Sequence, residues 1–373
     1  MNEFPQIHWD EGGAPHVARW RSEGGTPPPQ RVAIADDRTT ADAAFRLACE
    51  GTALLWRGDF QNARQLLQAL ARRAERKPRK AAATLTEAFH RHRMAQAQRA
   101  RTLGMLLIPC AADYRIPLRR APDIAAACNE AYGEPAEDFV VSLRELLGLI
   151  GAHEWRKKGV DIPALGARIH PHYGVFSPVR GEYVELVAQA ALPAGVLAFD
   201  IGTGTGVLAA LLARLGVTRV IATDTSPRAL ACARDNIVRL GLGKQVEVVE
   251  ADLFPPGRAA LAVCNPPWLP GRPSSTLEQA VYDLDSRMLL GFINGLKDHL
   301  EPAGEGWLIL SDLAEHLGLR THQQLLDAIA AAGLKVLGRV DTKPRHPRAA
   351  DRSDPLHAAR KLELTSLWRL GVI

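Results

Sequence analysis

The chain has few of the residues that stabilise disulfide-rich or zinc-binding proteins. Its five cysteines are scattered over 373 residues, are odd in number and never occur as C-x-x-C. We therefore expect neither a disulfide framework nor a zinc site. His170-Pro171-His172 carries ligand-type side chains, but no matching cluster occurs elsewhere in the sequence. We interpret this tripeptide as a turn and expect no metal.

Long apolar segments are also lacking. No apolar run reaches membrane length, and the first residues do not form a charged segment followed by an apolar one. We therefore expect a cytoplasmic protein without a membrane partner. Its 373 residues, 47% of them hydrophobic, are enough to bury more than one core, so two domains are expected. The sequence gives no indication of the oligomeric state.

A glycine-rich segment is present at Phe199–Leu208, where an apolar strand ends in a carboxylate and three alternate glycines open an apolar helix. Gly202, Gly204 and Gly206 would let the backbone lie against a nucleoside cofactor, because side chains there would collide with it. The dinucleotide fingerprint G-x-G-x-x-G would need glycine at position 207, which is Val207. The pattern therefore favours a cofactor without a pyrophosphate.

Acidic residues follow the next two predicted strands. Asp224 ends the strand that starts at Arg219, where a ribose-binding acid belongs in a nucleotide-binding βαβ unit. Alternatively, Asp224 is an N-cap for the helix after Ser226-Pro227. Asp252 follows a third strand and could accept the adenine amino group, with Leu253 covering the ring; the alternative is a turn aspartate.

The tetrapeptide Asn265-Pro266-Pro267-Trp268 follows a fourth apolar strand. An amide or aniline-type nitrogen is a poor nucleophile because its lone pair is delocalised. The Asn265 side-chain carbonyl and the Pro266 backbone carbonyl can each accept one N–H and orient that lone pair, while Trp268 stacks on the planar group. Alone, the tetrapeptide could be a proline-rich turn. After the glycine segment and two acids, it predicts methyl transfer to a planar nitrogen.

From residue 174 to residue 373 the chain resembles the class I S-adenosylmethionine-dependent methyltransferases that carry an N-P-P-aromatic motif. The segment Phe176–Val187, which we call the leading segment, is similar to that of the protein-glutamine methyltransferases that modify release factors. The chain differs from them by Trp268 in place of the usual Tyr, by a longer N-terminal region and by an insert between the last two strands.

The resemblance implies S-adenosylmethionine as the cofactor and a Rossmann-like seven-stranded sheet whose last strand is antiparallel. It implies a catalytic motif of Asn265, Pro266, Pro267 and Trp268. It also implies a set of cofactor-binding residues: Asp200, Gly202, Thr203, Gly204, Gly206, Asp224, Asp252, Leu253 and Asn265.

The N-terminal part is predicted to be an arm followed by helices. Residues 1–35, rich in Gly and Pro, are expected to form a flexible arm. Residues 36–165 are expected to form an α-helical substrate-recognition domain, because apolar residues recur at helical spacing beyond Phe60. Residues 166–373 are expected to form the methyltransferase domain, with the 342–360 insert as a candidate substrate lid.

The distribution of charge along the chain does not identify the methyl acceptor. Residues 64–101 contain eleven Lys or Arg and two Glu, whereas the whole chain carries a net charge of +5, so the basic character is local. This segment could bind RNA, a ribosome or an acidic protein, or it could be a solvated surface. The leading hypothesis is methylation of a protein glutamine amide. Methylation of adenine N6 in RNA and methylation of a small-molecule amine are alternatives that are also N-methyltransferase reactions. A nicotinamide-dependent oxidoreductase and an inactive binding module are alternatives outside that class of reaction.

Overall fold

The computed structural model describes residues 5–75, 82–134, 137–179, 181–273, 277–345, 351 and 354–373. The chain forms two compact units. The first comprises Met1–Ala81 and His90–Glu154, and the second comprises Ala82–Phe89 and Trp155–Ile373. The division therefore lies at residue 155, earlier than the predicted 166, and the short segment 82–89 is grouped with the second unit.

The first unit contains a six-stranded mixed sheet. Its strands, in the order β1-β2-β6-β5-β4-β3, include the parallel set β3, β4 and β5, and β6 is antiparallel to β5. The elements are β1 (Gln6–Glu11), β2 (Ala14–Arg21), β3 (Arg31–Ala35), α1 (Ala41–Cys49), β4 (Thr52–Trp56), α2 (Phe60–Glu75), α3 (Leu85–Gly104), β5 (Leu106–Cys110), α4 (Ala125–Tyr132), β6 (Phe139–Ser142) and α5 (Leu143–Lys158). The division between the units falls within α3 and within α5.

This sheet corrects two sequence-based expectations. The predicted flexible arm at 1–35 contains β1, β2 and β3, and the predicted helical domain at 36–165 contains β4, β5 and β6. The run Leu54-Leu55-Trp56, within the predicted helical domain, belongs to the interior strand β4. Short apolar runs fit a buried strand and a buried helix equally well. Whether such a run becomes a strand or a helix is decided by pairing with strands that are distant in the sequence. Trp20 of β2, for example, pairs with Val140 of β6.

The second unit contains a seven-stranded sheet in the order β11-β10-β9-β12-β15-β17-β16. The first five strands of this order are parallel, and β17 runs antiparallel to both of its neighbours. The elements are β7 (Val160–Ile162), β8 (Ala167–Ile169), α6 (Glu182–Gln189), β9 (Leu197–Ile201), α7 (Val207–Arg214), β10 (Arg219–Asp224), α8 (Pro227–Arg239), β11 (Val246–Glu250), β12 (Ala259–Cys264), β13 (Leu269–Pro270), β14 (Tyr282–Asp283), α9 (Arg287–His299), β15 (Leu300–Ser311), α10 (Leu313–His316), α11 (His322–Ala331), β16 (Leu334–Thr342), α12 (His357–Arg360) and β17 (Thr365–Val372).

Helices cover both faces of the seven-stranded sheet. On one face α6 and α7 pack in a cluster with β9, β10 and β12, and on the other α9 and α11 pack against Phe199, Ile201 and Leu308. Strands β9 and β12 and the second half of β15 are therefore buried on both sides, as their continuous apolar runs require. This arrangement exposes the carboxyl ends of the parallel strands at one edge, the usual place for ligands in open α/β sheets. No helix within the described ranges is long and apolar enough to cross a membrane.

Candidate active site

The glycine segment forms a tight loop between β9 and α7. All three glycines have positive φ, at 71° for Gly202, 55° for Gly204 and 80° for Gly206, a region that other residues adopt at a cost. A Cβ on Gly202 would lie 2.2 Å from Met288 Cε, and one on Gly206 would lie 3.3 Å from Ala233. A Cβ on Gly204 would meet nothing within 4 Å. Two glycines therefore permit close packing, and Gly204 borders open space.

Asp200 supports this loop from inside the protein. Its side chain is 1% exposed, and its Oδ2 accepts hydrogen bonds from Thr203 Oγ1 at 2.6 Å and from the Ala209 backbone N–H at 3.0 Å. Burial raises the pKa of Asp200 to about 6, although these hydrogen bonds favour the carboxylate. Thr203 is also buried. Both residues thus hold the loop against the start of α7.

Asp224 connects the end of β10 to the glycine loop. Its Oδ2 accepts a hydrogen bond from the Gly204 N–H at 3.0 Å, and its Oδ1 accepts one from the Ser226 N–H at 2.9 Å. The N-cap of α8 is Ser226, whose Oγ accepts a hydrogen bond from the Ala229 N–H. Asp224 is therefore not the residue that caps the helix. A carboxylate has about four acceptor positions, so Asp224 retains capacity for further donors.

Asp252 and Leu253 follow β11, the edge strand beside β10. The Asp252 carboxylate is largely exposed and forms an ion pair with Arg287, 2.6 Å from its guanidinium. Leu253 has a positive φ of 71°, which is unfavourable for a side-chain-bearing residue. Its carbonyl accepts a hydrogen bond from Thr223 Oγ1 at 2.7 Å, and its side chain packs on α9 beside Gly291. These contacts fix the turn in which the predicted adenine-side residues lie.

The N-P-P-W tetrapeptide begins directly beside the glycine loop. Strands β9 and β12 are parallel neighbours, and Cys264 is paired with Ile201, the residues that immediately precede Asn265 and Gly202. Pro266 is buried, whereas Asn265, Pro267 and Trp268 are partly exposed. The two motifs that the sequence places far apart therefore occupy adjacent strand ends.

Asn265 and Trp268 contact each other, which the sequence did not predict. The Trp268 Nε1–H donates a hydrogen bond to Asn265 Oδ1 at 2.9 Å. The indole packs against the apolar clusters of both sheet faces. An amide oxygen accepts two hydrogen bonds, so one lone pair of Asn265 Oδ1 remains for a ligand. The indole thus fixes which atom of the Asn265 amide faces Trp268.

Asp283 also shapes this region and was missed in the sequence. It ends β14, which pairs with β13 directly after Trp268, and it is 8% exposed. Its carboxylate accepts hydrogen bonds from the N–H groups of Met288 at 2.9 Å and Leu289 at 3.1 Å. Asp283 therefore connects the acceptor loop to the start of α9. An acid shortly before the start of α9 was the available signal in the sequence.

The His170–His172 segment makes local contacts. His172 Nε2 lies 2.9 Å from Asp235 Oδ2, and Arg156 contacts the same oxygen at 2.8 Å. His170 Nδ1 lies 2.7 Å from the Arg156 carbonyl oxygen. Across the described residues, no group of three or more His, Cys, Asp or Glu side chains has a metal-binding arrangement.

Comparison with known proteins adds to this geometry. Residues 167–332 match the family described as "Methyltransferase small domain". The resemblance to S-adenosylmethionine-dependent methyltransferases is confirmed. The matched range contains the glycine loop, both strand-end acids and the complete N-P-P-W motif, but none of the first unit.

Two kinds of relative are similar over part of the chain. A release factor glutamine methyltransferase of Cereibacter sphaeroides is 30% identical over 180 residues, which cover 44% of this chain and 63% of that protein. A ribosomal protein L11 methyltransferase of Pelotomaculum thermopropionicum is 42% identical over 84 residues, which cover 22% of this chain and 27% of that protein. The chain thus spans less than two thirds of the length of these relatives.

Solved structures have a more distant likeness. A methyltransferase from Thiobacillus denitrificans, in complex with S-adenosyl-L-homocysteine, is 18% identical with a TM-score of 0.37; the match covers 53% of this chain and 92% of that chain.

Proposed function

We propose that the protein is an S-adenosylmethionine-dependent N-methyltransferase that acts on a planar nitrogen, with a protein glutamine side chain as the acceptor. The observation that carries this proposal is the juxtaposition of Gly202 and Asn265 at the ends of two paired parallel strands. A cofactor held by the glycine loop would present its reactive group toward a nitrogen held by the next strand. Methyl transfer requires this proximity of donor and acceptor.

The described residues fit the cofactor. Open space over Gly204 admits a ligand against the backbone. Asp224 retains acceptor positions for ribose hydroxyls, and Asp252 with Leu253 forms the next turn along the same edge. When bound, the cofactor supplies an electrophilic methyl group on a sulfonium. A nicotinamide dinucleotide fits less well, because Val207 replaces the third glycine of its fingerprint.

In this proposal, Asn265 and Pro266 orient the acceptor. The free lone pair of Asn265 Oδ1 and the Pro266 carbonyl each accept one N–H of the planar group, which directs its nitrogen lone pair toward the methyl group. Trp268 maintains the orientation of the Asn265 amide through its 2.9 Å hydrogen bond. After transfer, the nitrogen releases one proton to solvent. Hydrogen-bond acceptors in fixed positions lower the barrier to methyl transfer, so that no strong general base is needed.

The relatives support a protein acceptor. Their names specify a release factor glutamine and ribosomal protein L11, both of them protein targets. The leading segment also supports a protein acceptor, because it is similar to that of the protein-glutamine methyltransferases. Such an acceptor would be associated with translation, and possible partners include the ribosome.

RNA methylation at adenine N6 is the second candidate, favoured by the basic segment at 64–101 and by the Trp268 surface. Some of this charge is neutralised locally. Arg73 lies 2.8 Å from Asp42, and Arg99 lies 3.0 Å from Glu75. Arg76 and Lys77, which belong to the same basic segment, lie outside the described residues.

The predicted lid at 342–360 contains Arg345, whose guanidinium pairs with Glu185 at 3.1 Å. Residues 346–350 and 352–353 of this insert lie outside the described residues.

The mechanism is tested by Asn265→Ala, which should slow methyl transfer by ~10²-fold while cofactor affinity stays at its wild-type value. Trp268→Phe removes one neutral hydrogen bond and keeps an aromatic surface, so it should slow transfer by about 10-fold. Single-turnover rates and calorimetric cofactor affinities should be measured for both. Asn294→Ala, at an exposed site on α9, is the matched control and should change neither. Unchanged transfer in Asn265→Ala would show that the tetrapeptide is only a turn.

The acceptor is tested by labelling a cell lysate with radioactive cofactor and then digesting samples with protease or ribonuclease. A protein glutamine acceptor predicts label that is lost to protease and kept after ribonuclease. The reverse result would establish RNA as the acceptor, and label that stays in the small-molecule fraction would establish an amine. No label combined with tight cofactor binding would indicate a binding module. Binding of a nicotinamide dinucleotide instead would indicate an oxidoreductase.

A further inference from the structure

The leading segment contains a buried carboxylate whose role the proposed mechanism does not explain. Glu182 is the first residue of α6 and is 6% exposed. Within the part of the chain that the structure describes, its Oε1 is buried and has no hydrogen-bond partner. The hydroxyl of Ser177 in the same segment is also buried, and it too has no hydrogen-bond partner among the described residues. Burial of an unpaired carboxylate is costly, so such a group indicates a ligand that is absent here.

Glu182 lies near the glycine loop. Helix α6 leads into β9, whose carboxyl end carries the loop, and α6 packs with α7 in one apolar cluster. Tyr183, the next residue, is buried; burial raises its pKa, and the charges of Asp200 and Glu182 raise it further. Both carboxylates are therefore within electrostatic range of one side chain. Helix α7 begins at the glycine loop, so the cluster of α6 with α7 places Glu182 on the same face of the sheet as the helix that the loop opens.

The chemistry of the unpaired carboxylate restricts its ligand. A buried carboxylate is stabilised by a cationic hydrogen-bond donor. The proposed cofactor has one ammonium group, on its amino acid end, and its nucleoside end is assigned to the strand ends at Asp224 and Asp252. Within the loop, the Thr203 hydroxyl is engaged, because it donates to Asp200.

We propose that Glu182 binds the α-ammonium group at the amino acid end of the cofactor. This inference rests on the proposed function, because it assumes that the loop binds S-adenosylmethionine or its demethylated product. Glu182 thus distinguishes the complete cofactor from nucleosides that lack an amino acid end.

Calorimetry with two ligands tests the inference. S-adenosylhomocysteine carries the amino acid end, and methylthioadenosine lacks it. Glu182→Gln preserves the size of the side chain and removes its charge, so it should weaken S-adenosylhomocysteine binding by about 10- to 100-fold and leave methylthioadenosine binding unchanged. Glu247→Gln removes the same charge from an exposed site on β11, where the carboxylate pairs with Arg219, and should change neither affinity.

A modified ligand keeps the test independent of the folding of the variant. The wild-type protein should bind the des-amino analogue of S-adenosylhomocysteine as weakly as Glu182→Gln binds the parent compound. Glu182→Gln should show no additional loss with this analogue, because the same contact is already absent. Equal affinity of the wild-type protein for parent and analogue would overturn the inference. Failure of the wild-type protein to bind either adenosine compound would instead overturn the proposed function.

Discussion

Both sheets of the molecule have parallel strands that end in loops, but the loop after β9 borders open space at Gly204, whereas Gly58 after β4 faces Asp37. In the first unit, β4 is followed by Arg57-Gly58-Asp59, and a Cβ on Gly58 would lie 2.5 Å from Asp37 Oδ1. Asp59 is 1% exposed and accepts hydrogen bonds from the Gln61 N–H at 2.9 Å and Arg120 Nε at 2.7 Å. The protein's own side chains therefore occupy this strand end.

The corresponding position of the second unit is different. A Cβ on Gly204 would meet nothing within 4 Å, and Glu182 Oε1 has no partner among the described residues. Unfilled space and an unpaired buried polar atom indicate a ligand site, whereas filled space and satisfied hydrogen bonds indicate structural support. Under the proposed function, the ligand binds the second unit, and we expect the strand end after β4 to have a structural role.

The largest expected effect comes from closing the open loop. Gly204→Val would place a branched side chain in the space over the loop, so cofactor affinity should fall by more than ~100-fold, below calorimetric detection. The substitution also carries a positive-φ cost of roughly 1–2 kcal/mol. Gly241→Val is the matched control, because Gly241 has a φ of 71° and no neighbour within 4 Å, in the turn between α8 and β11. It should lose similar stability and retain cofactor affinity. Comparable affinities for both variants would show that the space over Gly204 is not the cofactor site.

Buried aspartates in the two units should respond to pH in opposite directions. Burial raises the pKa of Asp200 from 3.8 to about 6, so the unfolded chain ionises first and the wild-type protein loses stability as pH rises across that window. Asp200→Asn does not titrate. Its free energy of unfolding relative to wild type should therefore increase between pH 4 and 6, by up to about 3 kcal/mol above pH 6.

Asp59→Asn provides the opposite case. The hydrogen bond from Arg120 lowers the pKa of Asp59, so its carboxylate contributes stability that is present at neutral pH and is lost in acid. Asp59→Asn should therefore be most destabilising at neutral pH. Urea unfolding at several pH values measures both effects. Parallel pH profiles for the two variants would contradict the distinction between the two loops.

Local chemistry made the active-site motifs predictable. The strand, glycine loop and helix at 197–214 and the acceptor motif after β12 depend on residue types within short segments. The sheet of the first unit could not be predicted in this way. Strand β6 has four residues, and it pairs with β2, which lies more than a hundred residues earlier in the chain. Such pairing is decided by tertiary contacts, which local propensity does not record.

Some site features also depended on tertiary structure. The hydrogen bond from Trp268 to Asn265 requires the backbone turn created by the two prolines. The unpaired state of Glu182 becomes visible only when its neighbours are known. Similarly, the sequence left two roles open for Asp224, ribose binding and helix capping. Ser226 is the N-cap of α8, which excludes the capping role for Asp224. In each case the sequence analysis named the residue, but the contact that it makes depends on the folded chain.

The smallest predicted effect concerns the closed loop of the first unit. Gly58→Ala would place a Cβ 2.5 Å from Asp37 Oδ1 and 2.8 Å from the Asp37 backbone nitrogen, so Asp37 must shift. That shift would disturb the hydrogen bonds that Asp37 Oδ1 accepts from the Asp59 N–H at 3.0 Å and Asn62 Nδ2 at 2.9 Å. We expect a loss of about 1–2 kcal/mol in the free energy of unfolding. Cofactor affinity should be unchanged, because none of the residues assigned to the cofactor belongs to this unit.

Asp37→Ala tests the cause of this loss. It removes the same two hydrogen bonds and much of the steric conflict, so the double variant Gly58→Ala/Asp37→Ala should be less destabilised than the sum of the single variants. Urea unfolding gives the three free energies, and calorimetry gives the cofactor affinities. Additive losses would mean that Asp37 does not close this loop. A drop in cofactor affinity in Gly58→Ala would show that the strand end after β4 contributes to ligand binding, and the contrast between the two sheets would fail.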